Sequence, residues 1–349
     1  MMIGGNLEMI YKFKRNRVFR SYFGGKRLDA FFGEKNQKDS QFPEEWIAST
    51  VRSFNAGRED IVEGPSICEN GELLSDIISD DPVRVLGKEQ YEKHGESLSV
   101  LVKLLDSAER LFIQCHPTIE FAKKHFNSNF GKTECWYILD CDDDACVYLG
   151  FKKGVTKEKL KSCFLKQDVE GMLDLMHKIK VKSGDFIFVD GGVPHAIGGG
   201  CMLCELQEPT DYMVIPERTS KSGITLTDKK MHCGLGFEGM FDCFVYDGYS
   251  EEELRKKYIT HPKVKENAVT SILNQEVTDK FKMDYLSVKT EITLKTDGVY
   301  KILVVIDGNG TLQINGTKTS IKKGDEIFVT ADSGDLTFIG NTDVLIMQP

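Results

Sequence analysis

The 349-residue sequence lacks several features that mark particular classes of protein. It has no apolar run near the roughly 18 residues that a membrane-spanning helix needs, and its first residues do not combine a basic start with the apolar core of a secretory leader. Lysine and arginine number 45 against 54 aspartates and glutamates, and the net charge of −9 argues against nucleic-acid binding. We therefore expect a cytoplasmic protein without membrane or nucleic-acid partners.

The sequence also lacks the regular cysteine pattern of a disulfide framework. Its ten cysteines are scattered irregularly, and several lie within apolar runs such as ACVYLGF. We interpret them as reduced, buried thiols. Cys201 and Cys204 form a single CxxC without the second pair of a zinc ribbon, so we interpret both as core residues of a strand.

A nine-residue repeat divides the chain into two related parts. VKSGDFIFV at 181–189 and IKKGDEIFV at 321–329 share Lys, Gly, Asp, Ile, Phe and Val in the same order. The shared pattern, a Gly-Asp turn before a short apolar strand, predicts two copies of one β-unit. We expect one unit over 1–215 and a second over 216–349, with an approximate boundary and with N-terminal strands free to pair with the second unit. The first copy is followed by His195 and the second by Asp335 at the equivalent position, so chemistry is expected in the first unit.

Alternating apolar residues and turn signals predict a mainly β fold with helices as additions. WYILD and ACVYLGF, separated by CDDD, predict a hairpin, and the Asp-Gly and two Asn-Gly pairs within 307–316 predict turns. Helices are expected within 117–131, as two short segments within 156–180, and after Ser250, which begins a capping box with Glu253. The expected fold class is therefore mainly β, with two barrel-like units and helical insertions.

Four donor side chains are expected to converge inside the first unit. Gln114 and His116 of IQCHP share one strand face, because side chains two apart on a strand point the same way. Glu134 begins the apolar run ECWYIL, where a carboxylate without a partner is costly to bury. His195 follows the turn of the first repeat. Two imidazoles, a carboxylate and an amide oxygen suit zinc, and would also accept iron, cobalt or manganese.

The ordered set QxHP, KxE and PHA resembles the motifs of class I mannose-6-phosphate isomerases, which are zinc enzymes of the cupin superfamily. The resemblance covers about residues 15–218 and continues more loosely to the C terminus. It implies two cupin (jelly-roll) units and interconversion of mannose 6-phosphate and fructose 6-phosphate through an enediol(ate). It also implies one Zn²⁺ per chain, with Co²⁺ or Mn²⁺ as alternatives, and a metal-free second unit. The implied ligands are Gln114, His116, Glu134 and His195.

Four further residues are candidates for roles in the site, three of them through the resemblance; the fourth, Glu205, follows from its place in the strand after His195, where a structural carboxylate is the alternative. Lys132, two before the glutamate ligand, takes the position of a functional lysine and is expected to act in acid/base catalysis or ring opening. Lys103, a cation inside the apolar run VLVKLL, takes the position of the lysine that contacts the substrate phosphate. Arg218 resembles an arginine that faces the reacting carbons, and Glu205 is a candidate general base.

Two other functions stay open at this point. An iron-dependent cupin oxygenase could use the same four donors, and a non-catalytic cupin could bind the same hexose phosphates. An oxygenase would have no use for Lys103 and Lys132, and binding alone needs no proton shuttle. Phe112 stands where the family usually has a small hydroxyl residue, so either the phosphate pocket or the substrate is expected to differ. The sequence indicates neither the native metal nor the oligomeric state.

Overall fold

The computed structural model describes residues 8–55, 57–58 and 60–349, and within them strands predominate over helices. The strands follow in chain order: β1 (Ile10–Lys12), β2 (Arg17–Val18), β3 (Glu44–Ile47), β4 (Leu101–Ser107), β5 (Glu134–Cys141), β6 (Cys146–Phe151), β7 (Met176–Lys180), β8 (Phe186–Val189), β9 (His195–Ile197), β10 (Cys201–Gln207), β11 (Ile259–Thr260), β12 (Ala268–Leu273), β13 (Lys282–Val288), β14 (Glu291–Leu294), β15 (Lys301–Ile314), β16 (Thr317–Lys322), β17 (Glu326–Val329) and β18 (Leu336–Gln348).

The helices are short and lie between the strands. They are α1 (Lys26–Phe31), α2 (Leu74–Asp80), α3 (Pro82–Leu86), α4 (Lys88–His94), α5 (Ile119–Phe126), α6 (Lys157–Lys166), α7 (Val169–Asp174), α8 (Asp228–Met231), α9 (Gly236–Asp242) and α10 (Glu251–Tyr258). Helices fall where the sequence predicts them, and α10 has the expected capping box between Ser250 and Glu253. Across the described part of the chain, every helix is too short or too polar to span a membrane.

The described strands form antiparallel sheets that separate the two halves of the chain. One sheet has the order β1-β17-β15-β18-β13-β12, with β14 against β18 and β16 against β15. A second has the order β11-β8-β5-β10-β4-β3-β2, and a third the order β7-β6-β9. Apart from β1 and β11, the first sheet holds the C-terminal strands and the other two hold the N-terminal strands. The expectation of a mainly β fold with two units and helical insertions is confirmed.

The sheet of each unit includes one strand from the other half of the chain, and side chains of the two units are also in contact. β1 pairs with β17 of the C-terminal sheet, as the sequence allowed, and β11 pairs with β8 of the N-terminal sheet. Tyr137 of β5 packs edge-on against Tyr285 of β13, with ring centroids 5.9 Å apart, so apolar contacts join the two units. The domain boundary near residue 215 stays a prediction, and the pairing of β11 favours a boundary nearer residue 260.

The sequence repeat corresponds to one turn built twice. Gly184 and Gly324 both adopt positive φ, 84° and 86°, at the third position of a turn that glycine favours. In each copy the following aspartate accepts a hydrogen bond from the backbone N–H three residues earlier, at 2.9 Å for Asp185 and 3.1 Å for Asp325. The same local geometry then starts β8 in one unit and β17 in the other.

Two local expectations are wrong. β5 and β6 do not form a hairpin: β5 lies between β8 and β10, so neither of its edges is free, and β6 pairs with β7 and β9 instead. Only Asn315–Gly316 forms the expected turn, between β15 and β16. The pairs at 307–310 lie within β15, where the backbone of β18 approaches Gly308 and Gly310 too closely for a side chain.

A pair of buried carboxyl groups lies where the two units meet. Glu45 belongs to β3 and Glu326 to β17, and one oxygen of each, Oε2, has no hydrogen-bond partner among the described residues. Arg15 approaches Glu326 Oε1 at 3.3 Å, and the backbone N–H of Asn16 donates to Glu45. Burial raises the pKa of Glu45 to about 7, and burial together with Glu45 raises that of Glu326.

This pair predicts that stability falls as the pH rises from about 5 to 8. A glutamate in the unfolded chain titrates near 4.5, whereas folded Glu45 titrates near 7, so the folded protein retains a proton that the unfolded chain has released. The cost is expected to reach up to about 3 kcal/mol at pH 8. Glu326→Gln should flatten the dependence measured by chemical denaturation at both pH values. The exposed control Glu291→Gln should not, and an unchanged slope in Glu326→Gln would contradict the assignment.

Candidate active site

The four predicted donors meet inside the N-terminal unit. Nε2 of His116 lies 3.2 Å from Oε2 of Glu134, and Nε2 of His195 lies 3.3 Å from Oε1 of the same carboxylate. The side-chain Nε2 of Gln114 lies 3.2 Å from Nε2 of His195. The ligand atoms of the two histidines and the glutamate all lie within 4.8 Å of one another, and all three residues are buried.

Backbone pairing explains why residues so distant in sequence converge. Gln114 and His195 are directly opposite one another and exchange two backbone hydrogen bonds of 2.9 Å. His116 is two residues further along, on the same face as Gln114. Glu134 is the first residue of β5, and its side chain contacts both imidazoles.

Both imidazoles present a lone pair to the centre of this cluster. Nδ1 of His116 lies 2.9 Å from the carbonyl oxygen of Tyr212, and Nδ1 of His195 lies 3.0 Å from that of Val193. A carbonyl only accepts, so each Nδ1–H donates and each Nε2 carries the lone pair that a metal ion can take up. Burial, aided by Lys132, lowers the pKa of His116 to about 4, and burial also lowers that of His195. Both rings are therefore neutral at pH 7, which is the metal-binding form.

The carboxylate completes a donor set that fits a divalent cation. Burial would raise the pKa of Glu134, but the neighbouring Lys132 ammonium holds it well below its usual range, so the group is ionised. Its Oε1 accepts a hydrogen bond of 3.1 Å from the indole N–H of Trp136, whereas its Oε2 has no hydrogen-bond partner in the described part of the chain. An ionised buried carboxylate facing two imidazole lone pairs is a set of atoms that binds zinc or a similar metal.

Lys132 lies at the edge of the donor set. Its Nζ is 2.9 Å from Nε2 of His116 and 3.3 Å from Oε2 of Glu134. The backbone on both sides is fixed by one carboxylate, because Glu208 accepts hydrogen bonds from the N–H groups of Gly131 and Thr133 at 3.1 and 2.8 Å. Glu208 is a positioning residue that the sequence analysis missed.

Charged side chains form the floor of the adjoining cavity, and the buried indole of Trp46 packs against Lys103. Glu205 of β10, Lys103 of β4 and Trp46 of β3 are direct neighbours across three strands. Nζ of Lys103 lies 3.0 Å from Oε1 of Glu205 and 3.9 Å from Oε2 of Glu44. Burial would lower the pKa of Lys103, but both carboxylates raise it, so the ammonium stays charged. Burial raises the pKa of Glu205, although Lys103 opposes this.

A buried guanidinium in the same cavity was not found from the sequence. Arg20 donates through Nε to Glu44 at 2.9 Å and through NH1 and NH2 to the two oxygens of Asp211, at 3.3 and 3.4 Å. Burial opposes ionisation of Glu44, but Arg20 and Lys103 lower its pKa to about 2. No repeat or spacing links these three positions in the sequence. Only the fold reveals that they belong to one site.

Arg218 does not join the cavity. Its NH1 lies 2.7 Å from Oδ1 of Asp228, and its side chain is about one-third exposed. The preceding residue explains why the Arg218 side chain points away from the cavity. The carboxylate of Glu217 is buried and accepts two hydrogen bonds from the Arg110 guanidinium, at 2.6 and 2.8 Å. Neighbouring side chains in an extended segment point to opposite sides, so Arg218 is turned away. Phe112 does line the cavity, beside Gln114.

Models of two protein families match separate parts of the chain. Residues 58–140 match "Phosphomannose isomerase type I, catalytic domain", and residues 271–349 match "Mannose-6-phosphate isomerase, cupin domain". These two segments fall in the two units of the fold.

Three relatives of known sequence or structure align with the chain, and two of them cover nearly all of it. The "Probable mannose-6-phosphate isomerase GmuF" of Bacillus subtilis is 29% identical over 334 residues, covering 95% of this chain and 96% of that protein. A mannose-6-phosphate isomerase of Streptococcus mutans is 32% identical over 203 residues, covering 57% and 58%. The crystal structure of the mannose 6-phosphate isomerase from Bacillus subtilis matches with a TM-score of 0.76 at 23% identity, covering 98% of this chain and 100% of that one.

The fold and the site together define a two-unit cupin protein with a His-Glu-His centre in its N-terminal unit. Over nearly its whole length the chain is similar in sequence to a probable mannose-6-phosphate isomerase, and residues 58–140 match the type I phosphomannose isomerase catalytic domain. The resemblance found in its motifs is confirmed.

The geometry of the donor set predicts the response of metal affinity to mutation. His116→Ala and His195→Ala should each weaken Zn²⁺ binding by at least about a hundredfold, because each removes one of few direct ligand atoms. Competition with a chromophoric chelator would measure this. His125→Ala, on the exposed face of α5, is the matched control and should bind normally. Equal affinities for all three variants would rule out this cluster as the metal site.

Proposed function

We propose that the protein is a zinc-dependent aldose–ketose isomerase that interconverts mannose 6-phosphate and fructose 6-phosphate. The observation that carries this proposal is the convergence of two neutral imidazoles, an ionised carboxylate and a buried lysine at one end of a cavity lined with cations. The homology to type I phosphomannose isomerases supports the same reaction.

The residues that would hold the metal are Gln114, His116, Glu134 and His195. When bound, a divalent cation supplies Lewis-acid stabilisation of the negative charge that develops during enolisation. Gln114 has its amide nitrogen towards His195 in the arrangement described above, and it would bind a cation through its oxygen.

Two buried groups are placed to move protons. Lys132 is held rigidly beside the donor set, and we assign it proton transfer at the sugar oxygens during ring opening and isomerisation. Glu205 lies at the floor of the cavity with a carboxylate whose pKa burial raises, and we assign it the transfer of the proton between C1 and C2.

We assign the arginine of the site to Arg20 rather than Arg218. Arg20 is buried in the cavity and clamped by two carboxylates, whereas Arg218 pairs with Asp228 outside it. A guanidinium held in this way needs little free energy to reorganise when a substrate binds. The sequence predicts Lys103 as the residue that binds the substrate phosphate, but Glu205 and Glu44 lie 3.0 and 3.9 Å from its ammonium and argue against that role.

The charges of the cavity suit a phosphorylated sugar. The lining cations Arg20, Lys103, Lys132 and Lys230 face the carboxylates of Glu44, Glu205 and Asp211. Including Glu134 makes this set neutral, so a divalent cation would leave two positive charges in excess. A phosphate monoester carries about −1.5 to −2 at pH 7 and would balance them.

A coupled assay of fructose 6-phosphate formation tests the function. Purified, zinc-loaded protein should convert mannose 6-phosphate and should lose activity when a chelator removes the metal. No turnover of any hexose 6-phosphate by the metal-loaded protein would overturn the proposal. Stoichiometric iron with oxygen uptake would instead indicate an oxygenase, and substrate binding without turnover would indicate a non-catalytic cupin.

Lys132→Met should retain zinc and lose at least about a hundredfold in kcat, because it removes a proton-transfer group and leaves all four donors in place. Metal analysis and steady-state kinetics on the same preparation would check both halves of the prediction. Lys124→Met, at an exposed position of α5, is the control and should match the wild type. Near-normal kcat in Lys132→Met would refute the assigned role.

A further inference from the structure

The cavity contains four cations, and three of them already have carboxylate partners. Arg20 is held by Glu44 and Asp211, Lys103 by Glu205, and Lys132 by Glu134. Lys230 is different. Among the described residues, no carboxylate lies within 4.0 Å of its ammonium, and its only hydrogen bond is a long one of 3.4 Å to the carbonyl of Phe54.

We propose that Lys230, at the mouth of the cavity, binds the phosphate group of the substrate, and that Lys103 on the floor does not. This inference rests on the proposed function, because it assigns the phosphate end of a substrate whose other end reacts beside the histidines. It concerns a residue of α8 that neither the motifs nor the family resemblance singled out.

The surroundings of Lys103 argue against a phosphate there. Its ammonium is 3.0 Å from Glu205 and 3.9 Å from Glu44, and its side chain is only 3% exposed. A phosphate dianion bound at this ammonium would lie beside two ionisable carboxylates and would be repelled by them. Phe112 lines the same cavity and offers no hydrogen-bond donor where a hydroxyl group was expected. The floor therefore suits neutral hydroxyl groups of a sugar better than a dianion.

The surroundings of Lys230 are suited to an anion. Its side chain lines both the cavity that contains Gln114 and Lys132 and an adjoining surface groove, so it lies where the cavity opens. The Asp211 carboxylate lines the same end and is also stabilised by the charge of Lys230, but both of its oxygens accept hydrogen bonds from Arg20. The amide of Asn55 also lines this end and can donate to a phosphate oxygen. A half-buried lysine on a flexible stem can turn from the Phe54 carbonyl to a phosphate without breaking an ion pair.

The direction of the substrate follows from this placement. In a hexose 6-phosphate the reacting carbons, C1 and C2, lie at the opposite end of the molecule from the phosphate. Gln114 of the donor cluster and Lys132 line the cavity, whereas Lys230 also lines the adjoining surface groove and so lies nearer the opening. The sugar would then enter with its carbonyl end first, and its middle hydroxyl groups would pass over Lys103 and Glu205.

The test compares three lysine variants in binding and in turnover. Lys230→Met should weaken binding of mannose 6-phosphate by about ten- to a hundredfold in calorimetry and raise KM similarly, with kcat within about twofold of wild type. Binding of unphosphorylated mannose should not change, and Lys230→Arg should restore most of the affinity. Lys229→Met, the neighbouring exposed lysine of α8 that lines only the outer groove, should behave as wild type.

Two results in the variants would overturn the inference. One is an unchanged preference for mannose 6-phosphate over mannose in Lys230→Met. The other is loss of that preference in Lys103→Met alone. Calorimetry measures binding and does not depend on catalysis. If the wild-type protein binds the sugar phosphate through Lys230 but does not isomerise it, the proposed function is refuted and this inference still holds. Wild-type protein with no preference for the phosphorylated sugar would refute the inference itself.

Discussion

The structure depends on one constraint: charges buried in the N-terminal unit must each find an opposite charge. Arg20, Lys103, Glu44, Glu205 and Asp211 satisfy one another within the cavity floor and walls. Glu134 is ionised and fully buried, and no hydrogen bond reaches its Oε2 in the described part of the chain, although the Lys132 ammonium lies 3.3 Å away. Removing a partner from such a charge is expensive, so the demand for a cation at this point is built into the fold and does not rely on a flexible loop.

The register of the strands places these charged side chains and the metal-binding donors next to one another. Side chains on one face of β3, β4 and β10 stand side by side, so the charged pair of Lys103 and Glu205 forms a floor next to Trp46. The donors arrive at the end of that floor, where Gln114 pairs with His195 and β5 begins at Glu134. The catalytic candidates are thus attached to the sheet, and helices contribute mainly at the mouth, through α8.

The sequence predicts the parts of the site that have a local signature, and misses those that do not. The donors could be found because QxHP and KxE place two functional groups on one strand face, and the repeat could be found because the same Gly-Asp turn is built twice. The β5–β6 hairpin failed because the edges of β5 were already occupied, which is a long-range fact. Arg20 and Asp211 meet only in three dimensions. Arg218 failed because its neighbour Glu217 is committed to Arg110.

The carbonyl groups of Tyr212 and Val193 that hold the two imidazoles have a consequence for evolution. Both acceptors belong to the main chain, so replacing either side chain leaves the oxygen in place. The tautomer and the orientation of each ring therefore depend on the backbone conformation and not on the identity of a neighbouring side chain. A lineage could exchange much of the surrounding sequence by drift and still keep both nitrogen ligands correctly presented.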